Sequence, residues 1–162
     1  MNEMTVEGIL ISMMSEHRIL LLKEVAGDRH LPIWIGQYEA DAIVIGLRNT
    51  AVPRPLTHDL LANVLADLGA TVSHIEVHTL EHDTFYSYIV LRVADELLRA
   101  DARPSDAIAL AVRINAPIFV SDAVLERAGI TVDADLSDEE DGALSAFRDF
   151  VNTMNLDDLT LP

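Results

Sequence analysis

Two short segments of this 162-residue chain follow one pattern, and between them they decide where its helices can begin. Arg54-Pro55-Leu56-Thr57-His58-Asp59 and Arg103-Pro104-Ser105-Asp106 each set an arginine and a proline ahead of a hydroxyl residue and an aspartate, directly before an apolar stretch with helical spacing. Proline has its φ preset for a helix start, a Thr or Ser oxygen can take up first-turn amides, and an acid there meets the positive end of the helix dipole. Capping therefore accounts for Thr57, Ser105, Asp59 and Asp106 without invoking function. It leaves Arg54, Arg103 and His58, which add two cations and a titratable ring where backbone amides already point outward.

The rest of the chain alternates strand and helix patterns. Thr5 to Met14 and Arg18 to Ala26 are rich in β-branched and long apolar residues and are separated by Ser15-Glu16-His17, which predicts a hairpin. A third strand from His30 to Ile35 leads through Gly36 into a helix from Gln37 to Arg48, within which Gly46 permits close approach of another element. After the first Arg-Pro segment, Leu60, Leu61, Val64, Leu65 and Leu68 fall on one helical face that Gly69 stops. Val72 to Leu80 and Thr84 to Val93 form a second hairpin around Glu81-His82-Asp83, and Leu97 to Asp101 adds a short strand. The helix after Arg103 is apolar almost all round from Ala107 to Ile114, which implies burial on several sides and, with the hydrophobic composition, a homo-oligomer. Ile118 to Val120 is a short strand, and Ser121-Asp122 opens a helix that ends at Gly129. The pattern predicts an α/β (α+β) single domain over 1–131, a mixed sheet with hairpins packed against several helices. An acidic extension, 132–162, follows, with Ser137 and Glu140 spaced as a capping box ahead of an amphipathic helix carrying Leu144, Phe147, Phe150, Val151 and Met154.

Charge and composition narrow the chemistry. The formal charge is −16, from 27 acids against 11 basic residues, so the surface as a whole repels nucleic acid unless arginines cluster locally or divalent cations intervene. The chain has no cysteine, which removes disulfides, thiolate catalysis and cysteine-zinc sites together. No run of residues is apolar and long enough to cross a membrane, and the first residues lack a signal-peptide pattern, so a cytoplasmic protein without membrane attachment is expected.

Several longer stretches carry a family likeness. Leu31-Pro32-Ile33-Trp34-Ile35-Gly36, then Glu39-Ala40, Arg54 to Leu61, Thr84-Phe85-Tyr86, Asp101 to Ala111 and Ala116 to Val120 together resemble the bifunctional nuclease (BFN) family, in its bacterial form. The likeness covers roughly residues 4 to 130 and implies DNase and RNase activity, the property for which plant members are named. In one place the chain departs from the family pattern: a glycine-containing turn is expected ahead of Asp101-Ala102-Arg103-Pro104, and Val93-Ala94-Asp95-Glu96-Leu97-Leu98-Arg99 stands there instead.

Hydrolysis of a phosphodiester needs an activated water, stabilised phosphoryl oxygens and help for the leaving oxygen. For this activity the two helix openings must converge. Arg54, Arg103, Thr57 and Ser105 would then hold phosphate with the helix amides, and His58, Asp59 and Asp106 would form the catalytic set. Asp59, Asp106 and Glu39 would bind a divalent metal, Mg²⁺ or Mn²⁺. The alternative is a non-enzymatic oligomeric binding or regulatory module whose openings take up an anion or merely hold the fold through caps and ion pairs. A second group, His74, Glu76 and His78, alternates onto one face of a strand and could ligate zinc or manganese. Its backbone spacing of about 6.6–6.8 Å strains shared coordination, however, and a polar sheet face is the competing reading.

Overall fold

Period-two patterning sorts the strands onto a single sheet. The computed structural model describes residues 1–11 and 18–131, so the Ser15-Glu16-His17 turn and the acidic extension from 132 with its amphipathic helix lie outside the described residues. The strands are β1 (Asn2–Ile11), β2 (Arg18–Glu24), β3 (Arg29–Ile35), β4 (Ala70–Glu81), β5 (Thr84–Val93), β6 (Glu96–Ala102), β7 (Ile118–Val120) and β8 (Ile130–Thr131). They run in the order β6-β5-β4-β7-β1-β2-β3-β8, antiparallel except for the parallel pair β4 and β7. The helices are α1 (Gln37–Leu47), α2 (Thr57–Asp67), α3 (Pro104–Ile114) and α4 (Asp122–Ala128). The architecture is the expected α+β domain with a mixed sheet.

Alternation along β2 shows how the two sheet faces differ. Leu20 and Leu22 join Ile75, Val77, Ile89, Ile118 and Val120 in the main core beneath the helices, while Ile19 and Leu21 point the other way into a small cluster with Trp34. Toward β4 that second face turns polar.

The most apolar helix, α3, forms the centre of the helical layer. Its residues from Ala107 to Ala111 are all buried, and it packs against α1, α2, β4 and β5. Its all-round apolarity, read as a sign of subunit contact, is absorbed within the chain. Gly46 makes the α1 contact possible: a Cβ there would stand 2.6 Å from Val112 and 2.9 Å from the Arg113 guanidinium.

Helix α2 departs from expectation. Leu61 and Leu65 pack with Ala62 against the core, but Leu60, Val64 and Leu68 are exposed. The five apolar positions span too wide an arc for a helix that meets α3 and β4 along one edge, so the solvent side keeps an apolar stripe at every fourth residue from Leu56.

Turns complete the hairpins. His82 and Asp83 both adopt positive φ, 47° and 60°, the two-residue geometry that suits the twist of β4 and β5. Between β5 and β6, where the family likeness leads one to expect glycine, Ala94 holds φ at 52°. A Cβ in this left-handed region is strained. Ala94→Gly is therefore expected to raise stability by about 0.5–1 kcal/mol after the entropy of the more flexible unfolded chain is subtracted. Urea denaturation checks this, and a loss of stability would contradict it.

Candidate functional site

The helix openings converge, but not in the same register. In α3 the N-cap is Arg103 and Pro104 is the first helical residue; in α2, Leu56 is the N-cap, so Arg54 and Pro55 fall outside the helix. Thr57 is thus the first residue of α2 and Ser105 the second of α3, and neither caps its helix, contrary to expectation. The acids, by contrast, coincide. Glu39, Asp59 and Asp106 each occupy the third helical position of α1, α2 and α3, where the dipole favours negative charge.

Each of these acids is bound by an arginine. Arg103 donates through Nε to Asp106 at 2.8 Å and through Nη1 to Glu39 at 3.1 Å, joining the starts of α3 and α1. His58 brings Nε2 to 3.5 Å from the other Asp106 oxygen, which joins α2 to the same group. A continuous line therefore runs from His58 through Asp106 and Arg103 to Glu39. Asp106 and then Glu39 raise the already high pKa of Arg103, so its charge is permanent. The Arg103 side chain is 66% exposed and can still meet a ligand.

Asp59, one residue from His58, points elsewhere. Its carboxylate accepts from the Leu56 backbone N–H at 2.8 Å and from Arg113 Nε at 2.7 Å. The Leu56 hydrogen bond, outweighing partial desolvation and reinforced by Arg113, holds the Asp59 carboxyl below the usual range. Arg113 is only 8% exposed and also donates to the Ala109 carbonyl, tying the start of α2 to the last turn of α3. It escapes a reading of the sequence because a cation in the last turn of a helix is already explained by the dipole. Its one signal is to be the single charged residue between Ala107 and Ile114.

The other predicted residues divide clearly. Arg54 and Thr57 are exposed and have no hydrogen bond or ion pair with the described residues, whereas Arg103 is held at the junction by Asp106 and Glu39. Asp59, Asp106 and Glu39 do not assemble as a metal centre. Among the described residues no group of three or more His, Asp or Glu side chains is placed to hold a metal ion, because the arginines have taken up the carboxylates. The strand group is likewise dispersed. His74 pairs with Glu76 at 2.9 Å, and Glu76 also accepts from Arg99 at 3.3 Å. His78, at a register shift after Val77, bonds Thr79 and stacks on Tyr88 with ring centroids 4.1 Å apart.

Beside Arg103 lies a cavity of about 240 Å³ between the ends of β3 and α1, the β4–β5 turn and the start of α3. Trp34 and Phe85, which sequence reasoning did not join to Arg103, form part of its wall.

Asp59 gives the site a structural test. Because its folded pKa is depressed, its stabilisation is complete above the ordinary aspartate value of about 3.9 and is lost as pH falls through the folded value. Asp59→Asn is expected to cost about 1–3 kcal/mol at pH 7, with the gap to the unaltered chain narrowing in acid. Chemical denaturation at a series of pH values reads both; a gap that is constant with pH would refute the assignment.

Comparisons with known proteins place the chain in a family. The bifunctional nuclease domain matches residues 20–133. A Mycobacterium tuberculosis protein described as uncharacterized is 39% identical over 164 residues, 98% of each chain. Bifunctional nuclease 1 of Oryza sativa subsp. indica is 29% identical over 119 residues, 72% of this chain and 36% of the rice protein. Bifunctional nuclease 2 of Arabidopsis thaliana is 28% identical over 109 residues, 65% of this chain and 33% of that protein, so the chain spans about a third of these plant relatives. With a domain match over most of its length and a bacterial relative aligned from end to end, the chain belongs to the bifunctional nuclease domain family.

Proposed function

We propose that the chain is a nuclease that hydrolyses phosphodiester bonds in DNA or RNA at the junction of α1, α2 and α3. The observation that carries this reading is the approach of His58 to Asp106, which is itself bound to Arg103. An aspartate beside Nε2 favours a proton on that nitrogen and leaves Nδ1 to take one from water. Arg103, with Nε and Nη1 engaged by Asp106 and Glu39, keeps Nη2 for a phosphoryl oxygen, where charge builds as the bond to phosphorus forms. The family and the names of the plant relatives support the choice of reaction.

The net charge of −16 favours a second reading, an anion-binding module without catalysis, because long-range repulsion opposes a polyanionic substrate. Cleavage assays with highly purified protein on single- and double-stranded DNA and on RNA, in Mg²⁺, Mn²⁺ or EDTA, separate the two. The EDTA arm reads whether a divalent ion takes part. His58→Ala and Asp106→Asn are each expected to lower the cleavage rate by about 10²- to 10⁴-fold, the usual contribution of general acid–base catalysis. Cleavage that persists unchanged in both folded variants would overturn the assignment.

A further inference from the structure

Two helices open into one cavity. Gly36, the N-cap of α1, and Arg103, the N-cap of α3, both line it, and neither helix has a side chain capping its first-turn amides. Ser105 lines it as well. That residue is only 6% exposed, yet its hydroxyl has no hydrogen-bond partner among the described residues. Its Oγ is not among the buried atoms left without a partner, so the hydroxyl keeps its access to the cavity, where it can donate to a ligand oxygen.

A carboxylate already lies at this spot. Glu39 folds back over the start of its own helix, so that a Cβ on Gly36 would overlap Oε2, while Oε1 accepts from Arg103 at 3.1 Å. It thus stands against the positive end of α1 and on the cation of α3, the position an external anion would seek.

We propose that the cavity is a phosphate seat and that Glu39 is its built-in competitor. A phosphate group displaces the Glu39 carboxylate from Arg103 and accepts hydrogen bonds from Arg103, the Ser105 hydroxyl and the open amides of α1. Asp83 on the cavity wall opposes any anion, so the affinity is modest and falls with salt. The phosphate can be free in solution or belong to a nucleotide, the product class of the proposed cleavage. Only the nucleotide source rests on the nuclease reading.

Isothermal titration calorimetry reads occupancy. The full chain is titrated with inorganic phosphate, adenosine 5′-monophosphate and adenosine, and affinity is read from midpoints. Phosphate and the monophosphate are expected to saturate the signal, adenosine to bind more weakly than the monophosphate. Glu39→Gln should tighten phosphate binding about threefold or more by removing the competing charge-assisted contact. Arg103→Gln and Ser105→Ala, checked for folding by circular dichroism, should each weaken it. A monophosphate that binds more tightly than phosphate identifies the nucleotide source, and equal binding identifies free phosphate. No saturable phosphate binding, no tightening in Glu39→Gln, or adenosine binding as well as its monophosphate would each overturn the proposal. Phosphate binding without any cleavage would remove the nuclease reading alone.

Discussion

The burial of α3 is the constraint on which the rest of the structure depends. From Pro104 to Ala111 only Asp106 escapes full burial, so this helix can be accommodated only with the sheet on one side and α1 and α2 on the others. Gly46 lets α1 approach it, and Arg113 ties α2 to its far end. Once those contacts are made, the starts of α1, α2 and α3 have little freedom to lie apart. The site is therefore a consequence of packing: three positive helix ends meet where the central helix begins.

Charge pairing then decides what each helix start can do. The acids at equivalent third positions are all favoured by the dipole, but arginines are few in a chain with 27 acids, and Arg103 serves two of the three. Arg103 remains largely exposed, because it is the N-cap residue of α3 and stands ahead of the packed part of that helix. Arg113 is enclosed between helices and has no surface to offer a ligand. The same residue type in the same pairing thus yields one contact that is open to chemistry and one that holds the fold.

Much of the fold was legible because its signals are local. The hairpin around Glu81-His82-Asp83, the helix from Arg103, the short strand Ile118 to Val120 and the Ser121 cap, whose hydroxyl accepts from Val124, all follow from neighbouring residues. The convergence of Arg103, His58, Asp106 and Glu39 could be suspected from their place at helix openings. Less legible were features set by distance in sequence. The insertion of Leu56 as N-cap leaves Arg54 outside α2 while Arg103 caps α3, although the two Arg-Pro segments look alike. The exposed stripe of α2 depends on how much of that helix α3 can cover. Arg113 meets Asp59 across 54 positions, a pairing that no local pattern encodes.

His58 and Asp59 show most clearly why function cannot be assigned by motif membership. Consecutive residues on a helix point about 100° apart, so neighbours in one motif face different surroundings. Asp59 turns back to its own N-cap and across to Arg113, and both bonds serve the helix junction. His58 turns toward Asp106, which Arg103 also holds. A substitution at Asp59 that abolished activity would thus act by displacing α2, and with it His58. Loss at His58 with the helices intact would instead act on the group proposed as base. The α2 opening sets a structural acid beside the proposed base because one turn of helix must serve the core and the cleft together.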